Sequence, residues 1–403
     1  MTKKVYTPEG VQDILFEECY IKKEIEDKTR KLLISQGYRE IETPSIEYYD
    51  LYSSRQKNLS QEVMYKFCDK EGRILTLRPE LTIPAVRAAI TKIKKPRPMK
   101  LFYIGNSFRY NDAGGGRMNE YTQAGIEIIG AVSPEADAEV IATAIKFLIE
   151  AGLENFQIDI GQVGFFKGLA EEANLSSEET EELRALIDNK NHLGIEKLIN
   201  NKKLPEDLKE LILSMPALFG SKDIIDKVEK MDINDTSRKA LQNLRHIMDI
   251  LNDYGYLDHI SVDLGMLPGL DYYTGLIFRG FTYDIGYPIL SGGRYDDLVG
   301  TFSEAEPATG FSLGINMLIT AMRRQELALS QPLIDYFIAY KESCRAIALL
   351  KADELRKSGK TVMIDVNKFT PDEAKIYAEA NDFSKLMYIA DDGKISYISL
   401  TVV

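Results

Sequence analysis

Two short apolar runs, Leu276–Phe278 and Pro288–Leu290, lie within residues 264–297, and glycines flank both. That pattern predicts consecutive buried strands joined by tight turns. Upstream, residues 12–36 carry Ile14, Ile21, Ile25, Leu32 and Leu33 among Glu and Lys, with Gly37 as a stop, which predicts an amphipathic helix. Ile41 and Glu42 predict a strand that ends before Pro44, a residue unable to donate to a central ladder. Residues 64–87 read as a strand, a turn at Glu71-Gly72, a second strand ending at Arg78-Pro79-Glu80, and then a helix. Residues 100–130 read as two strands around Gly114-Gly115-Gly116, and residues 308–322 as a strand feeding closely into a helix. Residues 165–258 are helical in pattern; Ser176 or Ser177 opens one helix ahead of a run of glutamates. From Pro332 the pattern alternates: D-Y-F-I-A-Y, a helix over 342–358, T-V-M-I-D-V, a helix over 371–381, then L-M-Y-I-A. Such β-α-β-α-β order predicts a small α/β domain with a mainly parallel sheet.

The bulk numbers bound the class. At 403 residues, 44% apolar and 28% charged, the chain has room for two or three domains of ordinary globular composition. Cys19, Cys68 and Cys344 are scattered, which predicts free thiols in a reducing compartment; His192, His246 and His259 show no metal-ligand spacing. The N-terminus lacks a signal-peptide core and no run reaches the roughly 18–20 apolar residues of a membrane span. The expectation is a cytoplasmic protein with no membrane contact. A net charge of −12 argues against a dedicated nucleic-acid binder, and no Lys/Arg-rich arm offsets it.

Candidate chemistry concentrates in a few places. Asp271, Tyr272, Tyr273, Arg294, Tyr295 and Asp296 form a dense hydrogen-bonding set, expected as the floor of a pocket for a small polar ligand. The plainer alternative is a sheet with tyrosines packed on it. Glu80, at a strand end, is well placed for an amino group, and Thr82 either caps the following helix or faces the ligand. The triple-glycine loop reads as a flexible turn before a phosphate cradle. Individual pocket residues could also be architectural, with buried Tyr and Glu satisfying one another.

These motifs resemble those of histidyl-tRNA synthetase. G-L-D-Y-Y-T-G and S-G-G-R-Y-D-D-L are similar to its two histidine motifs, and R-P-E-L-T is similar to its R-P-E-G-T. Arg109, Gln123 and Glu127 resemble motif 2 of class II synthetases, and residues 308–322 resemble motif 3. The resemblance implies an α+β fold: a class II aminoacyl-tRNA synthetase-like antiparallel sheet core over 1–325, with a helical insertion over about 165–258. A shortened anticodon-binding-like α/β domain would follow over 332–403. It implies a histidine pocket of Glu80, Thr82, Arg109, Gln123, Glu127, Tyr272 and Tyr273, with Arg109 gripping the α-phosphate of ATP in a true synthetase.

Five positions depart from the family pattern: Leu81 replaces glycine, Asn111 a glutamate facing adenine, Pro268 an arginine, and Asn316 and Met317 the glutamate and arginine of motif 3. Adenylate formation depends on preorganised charge around the phosphates, and removing one such group costs roughly 100- to 1,000-fold in rate. The resemblance therefore implies a chain without catalytic residues that has lost aminoacylation.

The combination is similar to a family of synthetase paralogues, the regulatory subunits of short-form ATP phosphoribosyltransferase. That resemblance implies a hetero-oligomer with a short catalytic subunit, which condenses ATP with phosphoribosyl pyrophosphate in the first step of histidine biosynthesis. It also implies a self-dimer through the class II core, histidine as effector and no cofactor, while the histidine spacing argues against a metal and the acidic balance against tRNA as a partner. Two alternatives stay open at this point: an active histidyl-tRNA synthetase with unusual motifs, and a catalytically dead module that senses histidine or tRNA.

Overall fold

Alternation along one strand, Glu120–Ile129, sets the two faces of the main sheet. Ile126 and Ile128 point into the largest apolar core, while Glu127 between them points the other way and meets tyrosine hydroxyls. The computed structural model describes residues 6–53, 61–110, 118–267, 273–302, 304–327 and 331–400. The chain divides into two units, Met1–Leu329 and Ser330–Val403.

Among the described residues of the first unit, nine strands form one sheet. Their order is Arg39–Glu40, Met99–Phe108, Glu120–Ile129, Ala308–Gly314, Leu290–Arg294, Leu276–Thr282, Phe156–Gln162, Ile260–Asp263 and Phe219–Gly220. The six strands from Met99–Phe108 to Phe156–Gln162 pair antiparallel throughout. Parallel pairing occurs where Arg39–Glu40 and Ile260–Asp263 join them. The architecture is the expected α+β one, with a mixed sheet that is antiparallel through its centre.

Helices cover one face of this sheet. Phe16–Ser35 ends where Gly37 adopts a left-handed φ of +82°, and Pro134–Ala151 runs from a proline in its first turn to Gly152 at φ +96°. Apolar residues from these helices, from Asp235–Asp253 and from Ile315–Arg324 merge with Phe278, Ile158 and Ile160 into one continuous core. The helical stretch contributes to it through Leu183, Ile187, Ile195 and Leu208. Ser176 caps Ser177–Asp188 in a reciprocal capping box with Glu179. A short strand, Phe219–Gly220, interrupts the helices and pairs with Ile260–Asp263. The sequence marks it only by the short apolar run Ala217-Leu218-Phe219 ahead of Gly220.

On the other face, Ile46–Tyr48, Ile74–Leu77 and Lys66–Cys68 form a small antiparallel sheet, with Gly72 at φ +79° in the turn. The strand expected at Ile41 and Glu42 runs earlier, at Arg39–Glu40, although the Ile41 N–H still reaches Phe102 O at 2.9 Å. The buried Arg78 side chain holds the following segment by donating to Thr43 O and to Asn106 O. That guanidinium replaces ladder pairing where Pro44 removes a donor.

Arg294 and Asp296 correct the expectation of a ligand floor. Arg294 donates to Asp137 Oδ2 at 3.0 Å, to Ala131 O at 2.9 Å and to Asp296 Oδ1 at 3.2 Å. Asp296 in turn accepts the Ala308 N–H at 3.0 Å. The fork of the guanidinium is consumed in joining the start of helix Pro134–Ala151 to the sheet.

In the second unit, strands run in the order Val362–Ile364, Ile334–Tyr340, Phe383–Ile389, Ile395–Ser399. The first two pairings are parallel and the last antiparallel. Helix Arg345–Lys357 packs with Ile338 and Met387, and helix Pro371–Ala380 packs with Phe337 and Leu386 on the opposite side. The edge strand Ile395–Ser399 departs from the alternation expected from the sequence: it follows Phe383–Ile389 with no helix between and pairs with it antiparallel. No helix among the described residues is long and apolar enough to cross a membrane.

Asp137 is 1% exposed. Asp137→Ala strands the Arg294 charge, and the first unit is expected to lose about 3–5 kcal/mol in urea unfolding. A loss below about 1 kcal/mol would contradict the clamp.

Candidate functional site

Glu127 sits mid-strand and is 1% exposed. Tyr103 donates its hydroxyl to Oε1 at 2.9 Å and Tyr295 donates to Oε2. Opposite Glu127 in the ladder is Gly310, where a Cβ would collide with the carboxylate and with Ile126 O. Glycine is therefore required there for the carboxylate to lie over the neighbouring strand. Burial pushes the Glu127 carboxyl up to about 8; the two tyrosine hydrogen bonds oppose that rise and the nearby Glu80 adds to it.

Glu80 lies near enough for its charge to act on Glu127. Its carboxylate accepts the Thr82 N–H at 2.6 Å and the Ile83 N–H at 2.9 Å, capping helix Thr82–Lys92. Burial raises its pKa, opposed by those N–H groups and by the Arg109 charge. The cap is thus Glu80. Thr82 is the first helical residue, and its hydroxyl lies 3.1 Å from the Tyr103 hydroxyl. Leu81 turns into a small apolar cluster with Ala85 and Tyr103.

The remaining expected residues fall around this pair. Gln123, 5% exposed, accepts from Ser107 Oγ at 2.8 Å. Arg109 Nε donates to Pro79 O at 2.6 Å, and its charge reaches Glu80. The Tyr273 ring lies over Gly293, where a Cβ would come 2.8 Å from the ring. Tyr272, Asn111 and Pro268, together with Asp271 and Gly114–Gly116, lie outside the described residues.

Two motif 3 positions have local structural partners. Gly314 is the last residue of its strand to pair, with Gln123, and Asn316 Oδ1 then accepts the Thr122 N–H at 2.8 Å. It extends the ladder by one bond. Asn316 also lines a small cleft of about 90 Å³ with Gln12, Lys22, Asn106, Glu120 and Thr122. Met317 is half-buried and packs against the main core.

Tyr295, expected in the hydrogen-bonding set, is paired with Glu127, as the architectural alternative has it, while Tyr103 belongs to no sequence motif. The signal for Tyr103 was its register: it pairs with Gly125, and a Cβ at that glycine would press on its hydroxyl.

The histidyl-tRNA synthetase family model matches residues 10–318. An ATP phosphoribosyltransferase regulatory subunit from Acetivibrio thermocellus is 54% identical, aligned over 98% of this chain and 95% of its own length. One from Ruminiclostridium cellulolyticum is 48% identical over 98% of this chain and 94% of its own length. The chain belongs to the family of ATP phosphoribosyltransferase regulatory subunits.

A crystal structure described as an ATP phosphoribosyltransferase regulatory subunit/histidyl-tRNA synthetase from Bacillus halodurans shares the fold. Its TM-score is 0.85 at 28% identity, covering 97% of this chain and 99% of that one. The regulatory-subunit family thus carries the histidyl-tRNA synthetase-like core that the motifs implied.

Two outcomes test the site's construction. Gly310→Ala is expected to cost about 1–3 kcal/mol, because neither the carboxylate nor the Ile126 carbonyl can move aside freely; an unchanged unfolding midpoint would contradict it. The second concerns pH. Below about 4.5 Glu127 is protonated in folded and unfolded chains alike, whereas up to about 8 only the folded chain keeps the proton. Stability from this group therefore falls as pH rises through that window, by about 1.4 kcal/mol per unit, and levels off above it. Glu127→Gln removes the fall. Denaturant titrations across about pH 5–9 should show the variant gaining on the native protein, and a pH-independent difference would exclude the raised pKa.

Proposed function

We propose that this protein is a non-catalytic regulatory subunit of ATP phosphoribosyltransferase. It supports a separate short catalytic subunit in the first step of histidine biosynthesis and makes it responsive to histidine. The observation that carries this reading is the set Glu80, Thr82, Tyr103, Gln123, Glu127 and Tyr273 gathered on one face of the sheet. Its carboxylates, amide and hydroxyls suit a small ligand that bears an ammonium group and an imidazole. The names of the relatives support the partner, a catalytic subunit of the same enzyme.

Loss of aminoacylation follows from the chemistry of adenylate formation. Met317 has neither a donor nor a charge to offer a phosphate, and Pro268 likewise carries no cation. Regulation is then a matter of coupled equilibria: histidine binds one state of the complex better and shifts the population toward it. A self-dimer through the class II core is part of this reading. The exposed Ile46, Tyr48 and Phe67 on the small three-stranded sheet support it as an apolar face for a second copy. The acidic balance argues against tRNA as a partner.

Mixing the purified protein with a short catalytic subunit should yield a co-purifying complex whose phosphoribosyl transfer is activated and is inhibited by histidine. No association, or association without activation, would overturn the reading. Histidine-dependent ATP–pyrophosphate exchange by the protein alone, at rates typical of synthetases, would favour the enzyme alternative. Within the pocket, Gln123→Ala should weaken histidine binding by about 10-fold in calorimetry, the worth of one polar contact to a charged group.

A further inference from the structure

The face of the main sheet that carries Glu127 holds a register row in which only Ser291 belongs to a histidine motif. Tyr103 pairs with Gly125, Gly125 with Ser312, Ser312 with Ser291, Ser291 with Arg279, and Arg279 with Asp159. The row ends at Ser261, which faces Asp159 across a parallel pair. Side chains at directly paired positions share a face, so these residues line one strip across seven strands. The face is that of Glu127: Arg279 follows Ile277 by two residues, and Ile277 packs with Tyr295 and Tyr273. Gly125 itself lies between Gln123 and Glu127 on one strand. From the floor of the pocket, the strip thus leads directly to Ser312, Ser291 and Arg279.

Burial along the strip is graded. Tyr103 is 1% exposed, whereas Ser312, Ser291, Arg279 and Asp159 are half-buried. An arginine half-buried on a sheet face is costly unless something shares its charge. Among the described residues Arg279 joins no ion pair; it feels the charges of Asp159 and Asp263 only at longer range. Both carboxylates are otherwise engaged. Ser261 donates to Asp159, the Gly265 N–H donates to Asp263 at 2.9 Å, and burial raises the pKa of each, which weakens them as counter-charges. A cation with two hydroxyls on the pocket side is an arrangement suited to a carboxylate.

Spacing agrees with an amino-acid ligand. Strands lie about 4.8 Å apart, so three gaps separate Gly125 from Arg279 by roughly 14 Å. The long stem of Arg279 can span the outer part, leaving the ligand's anion over Ser312 and Ser291. We propose that Arg279, with the hydroxyls of Ser291 and Ser312, recognises the α-carboxylate of the amino-acid ligand whose ring meets Glu127. This rests on the proposed histidine pocket and goes further by naming the residue that separates the amino acid from its carboxylate-free analogues.

Calorimetric titration of the full-length protein with histidine, histidinol and histamine tests it. The native protein should prefer histidine to histidinol by about 10- to 100-fold, the worth of a charge-assisted contact. Arg279→Gln should bring the two within about threefold while histidinol affinity stays unchanged, and Arg279→Lys should restore part of the preference. A merely structural arginine would weaken both ligands alike; that result, or an unchanged preference in Arg279→Gln, would overturn the assignment. Failure of the native protein to bind any of the three would instead overturn the pocket reading on which it rests.

Discussion

A carboxylate buried in the middle of a β-sheet is the constraint around which the first unit is built. Removing Glu127 from water costs several kcal/mol unless protein groups replace the lost solvation. Two tyrosine hydroxyls, Tyr103 from the adjacent strand and Tyr295 from just beyond the end of Leu290–Arg294, supply that replacement, and Gly310 supplies the space. Each of these needs its own support. Tyr103 is steadied by Thr82 and by the absence of a side chain at Gly125, and Tyr295 follows the Arg294 clamp directly in sequence. The carboxylate, its neighbours and the helix cap at Glu80 form one hydrogen-bonded unit. Its raised pKa is the residue of a cost only partly offset, which is how binding sites commonly hold their groups ready.

Much of the fold was legible in the chain because local chemistry and tertiary packing agree there. The apolar run Leu276–Phe278 became the start of the central strand Leu276–Thr282, whereas Pro288–Leu290 only leads into Leu290–Arg294; of Ser176 and Ser177, Ser176 is the cap, boxed with Glu179. What was not legible depended on distance. Arg294 looked available because Asp137, its partner, lies 157 positions away. Thr82 looked like a cap because a carboxylate two residues earlier can serve the same N–H groups, and only geometry chooses between them. Tyr103 carried no motif; its role follows from register with a glycine on another strand. The short edge strand Phe219–Gly220 offers only two residues of pattern, too few to be read.

Family membership and the pocket together suggest how a synthetase-like scaffold serves regulation. An enzyme must stabilise charge that develops in a transition state, whereas a sensor needs only to bind one ground-state ligand and to differ in affinity between assemblies. On this reading the amino-acid side of the pocket does the binding, and Met317 serves packing. Asn316 fits the same view: one bond to the Thr122 N–H preserves the sheet end with no charge required.

A crystal structure of the protein grown with histidine, ATP and magnesium would test this account most directly. It predicts an ordered histidine with its imidazole against Glu127 and its ammonium group near Glu80 and Gln123, and no ordered triphosphate beside Arg109. Histidine bound elsewhere with the pocket vacant, or a triphosphate and magnesium seated at Arg109, would contradict it.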